Sequence, residues 1–468
     1  MISRTLYKAL VLPLSAFVGG AFAQVLGLGS SHAEATSRDT SPYAAVAQLG
    51  RVLVEIENSY VEPVDRAKLV NGAIKGMVAE LDPHSAYMPP QDYTLFQNDT
   101  EGKFAGVGVE VDARNDTLTI IAPIEGSPAE RAGIKSGDHI LTIDGADAVG
   151  QGLDKLVRKM RGDPGTHVRL MIKREGIAQP LVFDLVREII RVPSVAAKML
   201  EGGVAYVRIK QFQEHTHDEL VAGAARLRAL ATQSKKPIVG VVLDLRANPG
   251  GLVDEAAEVA DEFLSSGTIY TTRHRGEVLD EVKAKGGGAF SDVPIVALVN
   301  EYSASASELV AGALQDHKRA LIVGNHTFGK GSVQAIIALP GGAGMRLTIA
   351  RYYTPSGHAI QADGVHPDIV IETTRVATPG YPAVRERDLE GALPAEGQPR
   401  LDVERDAGAP VPNVAGDAGA ASAAAEPDIM RSDARNVPTD PMKGSDFVLR
   451  MGWQIVRGSL SGRGPKVR

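Results

Sequence analysis

The sequence predicts an α/β protein of several domains. Residues 238–245 (I-V-G-V-V-L-D-L) form an apolar run that leads into a helical pattern near Val253. Residues 294–299 (P-I-V-A-L-V) lead into a second helical pattern at Leu309, and another apolar run follows at 320–323. The order strand, turn, helix, strand is typical of a parallel crossover unit. The length of 468 residues suggests two to four domains.

The composition excludes several classes of protein. Hydrophobic residues make up 44% of the chain and charged residues 23%, as in soluble globular proteins. The formal net charge of −7 and the lack of a basic stripe argue against a nucleic-acid partner. The chain contains no cysteine, which excludes disulfides, thiolate catalysis and thiolate metal ligands.

The N-terminus predicts export. Arg4 and Lys8 precede an uncharged, largely apolar stretch within residues 1–34, a pattern typical of a secretory signal peptide. Ala21-Phe22-Ala23 and Ser31-His32-Ala33 are the candidate cleavage sites. Because the uncharged run reaches about 20 residues, it could instead remain as a membrane anchor. We expect a periplasmic or otherwise extracytoplasmic protein, with cleavage and anchoring both open.

Residues 40–100 are predicted to form an N-terminal helical segment, because apolar residues recur there at three- and four-residue steps. The run L-D-P-H-S-A-Y-M closes this segment and contains Asp82 and His84. An aspartate before a proline is typical of a turn. The sequence therefore assigns no chemistry to these two residues.

Residues 102–187 are predicted to form a small domain of short strands. Its motif S-P-A-E-R-A-G-I-K-S-G-D-H-I-L-T-I-D-G, at 127–145, resembles a PDZ domain. In such a domain a glycine loop offers backbone N–H groups to a peptide carboxylate, and an exposed sheet edge pairs with the peptide. By this resemblance the substrate-binding loop consists of Phe104, Ala105, Gly106, Val107 and Gly108.

The two crossover units place polar residues after buried strands. Residues 238–245 are almost continuously apolar, as expected of a strand buried on both faces. Ser305 follows the second such strand at the predicted start of a helix, where N–H groups and the helix dipole can face a developing oxyanion. Ser305 and Glu308 also fit a capping box, so a purely structural role is the alternative.

Lys330 lies in the turn Gly329-Lys330-Gly331, just before another β-like run. If Lys330 begins that strand, it shares a face with Gln334, since side chains alternate. A lysine can act as a base when burial lowers its pKa enough to leave a neutral amine. The alternative is a solvated lysine in a turn.

The motifs S-A-S-A-S-E and F-G-K-G-S-V-Q, at this spacing, resemble the Ser–Lys core of the carboxy-terminal processing proteases, also called the tail-specific protease type. The resemblance covers roughly residues 49–371. It implies a crotonase-like α/β protease core at 188–376, preceded by the inserted PDZ domain. It also implies that Ser305 is the nucleophile, that Lys330 is the general base and that Gln334 orients the lysine.

A second motif, D-L-R-A-N-P-G-G at 244–251, resembles the segment that supplies a glycine N–H to the oxyanion hole of this family. It implies Gly251, with Gly250 as the alternative, together with the N–H of Ala306. Residues 354–371 resemble the family too, except that His358 stands where arginine is usual. That departure affects a peripheral contact only.

The C-terminal part changes in composition. Residues 377–444 are rich in Ala, Pro, Gly and Asp with few large apolar residues, which predicts a disordered linker. Residues 445–468 regain a helical pattern that contains the only tryptophan, and then end in a short tail. We expect this helix to dock on the core.

The resemblance implies a serine endopeptidase that processes or degrades exported proteins recognised by their C-termini, with the PDZ domain binding that C-terminus and gating the site. It implies neither a metal nor an organic cofactor. It admits an activating adaptor protein, and a homo-oligomer formed through the N-terminal helices or the C-terminal helix. The alternative function is a non-catalytic, PDZ-containing peptide-binding adaptor on a crotonase-like scaffold. Acyl-CoA chemistry on such a core is disfavoured by the peptide-binding domain.

Overall fold

The computed structural model describes residues 42–114, 117–371, 384–399 and 437–460. The predicted signal peptide or anchor, residues 1–34, lies outside the described residues, as do its candidate cleavage sites and parts of the predicted linker. Within the described ranges, no helix combines the length and apolar character needed to cross a membrane. The chain divides into two units, Met1–Ala73 and Ile74–Arg468.

The N-terminal segment is helical, as predicted. In the first unit the Glu57 carboxylate accepts a hydrogen bond of 2.8 Å from the Arg66 guanidinium. The elements of the segment are α1 (Pro42–Ser59), α2 (Arg66–Ala79), β1 (Ala86–Met88) and α3 (Pro90–Thr100).

The next region forms a β-rich domain with its own core. Strands β3, β4, β5, β7 and β8 follow one another in an antiparallel sheet, β6 pairs with β5, and β3 lies at the edge. Strands β2 and β9, where the chain enters and leaves the domain, pair with each other. The elements are β2 (Lys103–Gly106), β3 (Val109–Arg114), β4 (Thr117–Pro123), α4 (Pro128–Arg131), β5 (His139–Ile143), β6 (Ala146–Asp147), α5 (Leu153–Met160), β7 (His167–Lys173), β8 (Leu181–Val186) and β9 (Glu188–Arg191).

The following region carries the crossover units. Its main sheet has the strand order β10-β11-β12-β15-β16-β19, in which β10 is antiparallel and the others are parallel. The elements are β10 (Val195–Met199), β11 (Val204–Ile209), α6 (Thr216–Ser234), β12 (Gly240–Asp244), α7 (Val253–Asp261), β13 (Thr268–His274), β14 (Glu277–Lys283), β15 (Ile295–Val299), α8 (Ala306–Asp316), β16 (Ala320–Gly324), β17 (Ser332–Ala338), β18 (Gly344–Tyr353) and β19 (Ile369–Val370).

Both faces of the main sheet are covered, as its continuous apolar strands predict. All residues of β12 and β15 are buried, with alternate side chains in two separate cores. Val241 and Leu243 belong to the core that includes residues of α6, α7 and α8. Val242 belongs to the core completed by the C-terminal helix α9 (Phe447–Leu460). The indole N–H of Trp453 in α9 donates to the Glu201 carbonyl at 2.9 Å.

A second sheet lies around β18 and brings distant parts of the chain together. Its order is β1-β18-β13-β14, and β17 also pairs with β18, from Arg351 to Gly344. Ala86 of β1 is opposite Arg346, and Gln334 of β17 is opposite Thr348. The segment that closes the N-terminal helices therefore pairs with the same strand, β18, as the strand that follows the lysine turn.

Residues 384–399 fall inside the predicted linker, yet the structure describes them as an ordered segment that contains a 3₁₀ turn at Glu386–Asp388. Its backbone and side chains are bonded to the core, since Gln361 Nε2 donates to the Leu393 carbonyl at 3.0 Å and Tyr353 donates to Glu396 at 3.0 Å. The prediction of disorder is wrong for these residues because their polar groups find partners on the core.

Candidate active site

Ser305 occupies the corner between β15 and α8, as the sequence predicts. Helix α8 begins at Ala306, so Ser305 is its N-cap, with φ 56° and ψ −117°. A positive φ is costly for a residue with a Cβ, and such strain is concentrated at functional sites. Ser305 is 8% exposed. The corner holds this side chain at the edge of the core with a path to the outside.

The three serines of S-A-S-A-S differ in their contacts. The hydroxyl of Ser303 donates to the Leu245 carbonyl at 2.8 Å, and that of Ser307 donates to the Asn248 carbonyl at 2.8 Å. Within the described residues no carbonyl accepts a hydrogen bond from the Ser305 hydroxyl. The outer serines tie the corner to the turn after β12, and the middle one does not.

Glu308 connects the serine corner to the lysine turn. It is fully buried, and its Oε2 accepts from the backbone N–H of Ser305 at 2.7 Å and from that of Lys330 at 2.9 Å. Its Oε1 accepts from the N–H of Gly329 at 2.6 Å and from the Thr327 hydroxyl at 2.5 Å. The nitrogens of Ser305 and Lys330 can thus be no farther apart than the sum of their two hydrogen-bond lengths.

Burial raises the pKa of Glu308 to about 7, although the four hydrogen bonds donated to its carboxylate act in the opposite direction. The half of the predicted capping box in which Glu308 accepts from the Ser305 N–H is present. The remaining bonds go beyond a cap, because they join α8 to a turn that lies after the next strand of the sheet.

Lys330 lies in the turn before β17. Burial and, to a smaller extent, the positive charge of Arg346 lower its pKa to about 8. The carboxylates of Glu386, Asp82 and Glu308 raise it. Part of the residue is still accessible to solvent. A lysine in this setting has a far larger neutral fraction near neutral pH than an ordinary lysine, and a general base requires the neutral form.

Asp82 and His84, to which the sequence assigns no chemistry, are buried beside this lysine. Asp82 accepts from the N–H groups of His84 and Ser85 at 2.9 and 2.8 Å and from the Thr348 hydroxyl at 3.1 Å. His84 Nε2 lies 2.7 Å from an oxygen of Glu386, which is fully buried. The turn signal was right locally, but nothing in it indicates the partners, which lie far along the chain.

Gln334 lies near the lysine turn, but its amide nitrogen is bonded elsewhere. Nε2 donates to Ser332 Oγ at 2.8 Å and to Thr348 Oγ1 at 3.3 Å. Strand β17 begins at Ser332, and a register shift falls between Val333 and Gln334. Lys330 therefore precedes the strand, so the alternation of side chains along the strand does not determine which face Lys330 shares with Gln334.

The glycine turn after β12 lies against the serine corner. A Cβ built on Gly250 would be 2.8 Å from Ser305 Cβ and 3.0 Å from the Ala306 nitrogen. The Gly250 N–H donates to Asn248 Oδ1 at 2.9 Å. The N–H groups of Gly251 and Ala306 donate no hydrogen bond within the described part of the chain. Of the two glycines, Gly251 is the one with an N–H available to a ligand.

The predicted carboxylate loop is part strand and part turn. Phe104, Ala105 and Gly106 belong to β2, which pairs with β9. Val107 and Gly108 follow as a turn, with φ +78° at Gly108. Within the described residues the N–H groups of these two donate no hydrogen bond. They precede the edge strand β3, so two free donors and an unpaired sheet edge lie together.

Comparison with known proteins gives three family matches. The model described as "Peptidase family S41" matches residues 203–371. The model described as "PDZ domain" matches residues 119–174. The model described as "Activating protease CtpB N-terminal domain" matches residues 21–91. The serine corner, the lysine turn and the glycine turn all fall within the first match.

Individual relatives cover most of the chain. It is 42% identical over 358 residues to the carboxy-terminal-processing protease of Bartonella bacilliformis, covering 76% of this chain and 82% of the relative. It is 38% identical over 325 residues to the carboxyl-terminal-processing protease of Synechocystis sp., covering 68% and 74%. Among solved structures, a photosystem II D1 C-terminal processing protease is 30% identical, with 70% of this chain and 86% of that chain covered and a TM-score of 0.44.

Proposed function

Because this chain belongs to the carboxy-terminal-processing protease family of S41 serine-type peptidases, we propose that it is an endopeptidase with Ser305 as nucleophile and Lys330 as general base. Its substrates are exported proteins recognised by their C-termini. The observation that supports this proposal most is that a single oxygen of Glu308 binds the backbone N–H groups of both residues. The two groups of the dyad thereby belong to one rigid assembly.

The first step is attack on the substrate. The neutral amine of Lys330 takes the hydroxyl proton of Ser305 while Ser305 Oγ bonds to the carbonyl carbon of the scissile peptide. A lysine whose pKa is lowered to about 8 can accept this proton at pH values around that pKa. Gln334, which lies near the turn, is proposed to orient the lysine.

The tetrahedral intermediate carries a negative charge on the former carbonyl oxygen. We assign the oxyanion hole to the N–H groups of Gly251 and Ala306, since both lack a partner within the described residues. The positive end of α8 favours the same charge. A preorganised donor of this kind typically lowers the barrier by about 3 kcal/mol.

Collapse of the intermediate completes acylation. The protonated Lys330 gives its proton to the leaving amine as the C–N bond breaks, and an ester forms at Ser305. Water then attacks the ester while the same lysine takes its proton, and the lysine returns that proton to Ser305 Oγ as the ester C–O bond breaks and the new C-terminus is released. The lysine acts as base and acid in turn, so the reaction needs no further titrating group.

The PDZ domain is proposed to hold the substrate's C-terminus. The N–H groups of Val107 and Gly108 are available to a carboxylate, and the edge strand β3 can pair with the residues that precede it. The domain is attached through the paired strands β2 and β9, and the Val192 N–H donates to the Gly102 carbonyl at 3.1 Å. This narrow attachment suits a domain that covers and uncovers the cleft.

The test uses two synthetic, unstructured peptides of equal sequence, one ending in a free carboxylate and one in an amide. The purified chain should cleave both, with a KM at least tenfold lower for the carboxylate, and Ser305→Ala should cleave neither. Cleavage by Ser305→Ala at the full rate would disprove the assigned nucleophile. Equal KM values would disprove carboxylate recognition. Removing residues 104–187 should change the rate on short peptides that need no tethering, if the domain gates the cleft.

A further inference from the structure

A residue of the ordered segment 384–399 is bonded to the lysine turn. Glu386 lies in the ordered segment 384–399, at the start of its 3₁₀ turn, and is fully buried. Its N–H donates to the Phe328 carbonyl at 3.1 Å, directly before Gly329 and Lys330. The segment is thus fixed to the turn by its backbone as well as by its side chain.

The side chain of Glu386 makes two polar contacts, of which the one to Gln361 leads to the lysine turn. One oxygen lies 2.7 Å from His84 Nε2. The other accepts from Gln361 Nε2 at 2.9 Å. Gln361 Oε1 in turn accepts from the N–H of Gly331 at 3.0 Å. Glu386 therefore holds the residue that follows Lys330, while Glu308 holds Lys330 and the residue before it.

The charges that face the Lys330 amine come from four elements. Arg346 is on β18, Asp82 precedes β1, Glu308 is on α8, and Glu386 is on the 384–399 segment. The carboxylate oxygens of Asp82 and of Glu308 each accept several hydrogen bonds from neighbouring groups. Of the three carboxylates, Glu386 raises the pKa of Lys330 most.

Resting on the proposed function, we propose that Glu386 is a positioning residue for Lys330, which through Gln361 and its own backbone bond to Phe328 fixes the turn that presents the amine and supplies a negative charge facing it. The burial of a carboxylate against a histidine is costly unless both are well bonded. Here the buried carboxylate lies near the Lys330 amine, and its fixed charge influences the protonation of that amine.

The test compares Glu386→Gln with Glu390→Gln. The first keeps the size of the side chain and removes the buried charge. The second removes a charge of the same sign from an exposed position on the same segment. Lys330 is titrated by competitive acetylation with acetic anhydride between pH 6 and 10, read by mass spectrometry. This readout reports the amine whether or not the chain cleaves peptides. In parallel, kcat and KM are measured for cleavage of a short peptide.

For Glu386→Gln we expect kcat to fall at least tenfold with KM within twofold of wild type, and the Lys330 titration midpoint to move to lower pH. Glu390→Gln should match wild type in all three. An unchanged midpoint would overturn the proposal, even if kcat fell. If Glu386→Gln does not fold, Glu386→Asp decides by the same midpoint, which should lie below that of wild type. A shifted midpoint in a chain that cleaves no peptide would leave this inference standing and refute the protease function instead.

Discussion

Ser305 and Lys330 donate their backbone N–H groups to the same atom, Oε2 of Glu308, at 2.7 and 2.9 Å. The serine corner and the lysine turn belong to different elements of the core, yet one buried side chain sets their separation. A change at this oxygen should therefore alter the distance between the proposed nucleophile and the proposed base more than it alters the immediate surroundings of either one.

Glu308→Gln tests this relation. The amide has only one acceptor oxygen, so at least two of the four donors would face an NH₂ group or nothing. An unsatisfied buried donor costs about 1–3 kcal/mol. We expect kcat to fall at least 100-fold and the free energy of unfolding to fall by a few kcal/mol, measured by denaturant titration. Glu277→Gln, on the exposed strand β14, is the control. Wild-type kcat in Glu308→Gln would show that the bond to Oε2 does not position the dyad.

The serine triplet offers a comparison within one motif. Ser305→Ala should lower kcat/KM at least 1000-fold and leave the melting temperature within about 2 °C, because its hydroxyl bonds no carbonyl in the described residues. Ser307→Ala removes the bond to Asn248, which should lower the free energy of unfolding by about 1 kcal/mol and keep measurable activity. Thermal unfolding and peptide cleavage separate the two. The reverse pattern would reassign the nucleophile.

The pH dependence follows from Lys330. Its pKa is lowered to about 8, and only the neutral amine can accept the serine proton. Because the amine is protonated below that pKa, kcat/KM should rise about tenfold per pH unit on the acid side and level off above about 8. Lys330→Arg stays charged at every pH and should be inactive throughout. A flat profile between pH 6 and 9 would exclude a neutral lysine as the base.

Gly250→Ala tests the contact between the glycine turn and the serine corner. Its φ is +100°, and the added methyl would lie 2.8 Å from Ser305 Cβ and from the Ala304 carbonyl. We expect kcat to fall at least 100-fold. Gly276→Ala has a similar φ of +90° with nothing within 4 Å of the added carbon, so it carries the backbone strain alone. Equal activity of the two variants would show that crowding at Ser305 is unimportant.

Local pattern predicted the strands and helices of the crossover units and the serine corner, but not β13 and β14. The continuous apolar runs predicted β12 and β15 buried on both faces, and the helix after Ser305 begins at Ala306. The choice between Gly250 and Gly251 needed the structure, because it depends on the bond from Gly250 to Asn248. A sequence shows that an N–H exists but not whether it is occupied.

The surroundings of the lysine could not be predicted from sequence. Asp82 reads as a turn residue, and residues 384–399 have the composition of a linker. Their burial follows from β1 and β17 both pairing with β18 and from polar bonds to Gln361 and Phe328. The prediction that Lys330 and Gln334 share one face of a strand fails because the strand begins only at Ser332 and its register shifts between Val333 and Gln334.

Helix α9 packs on one face of the main sheet, and Glu386 follows every strand of that sheet along the chain. A chain that leaves the ribosome or a secretion channel N-terminus first therefore has Ser305 and Lys330 long before it has a finished structure around them. We expect the newly made chain to stay inert until its final helix has emerged.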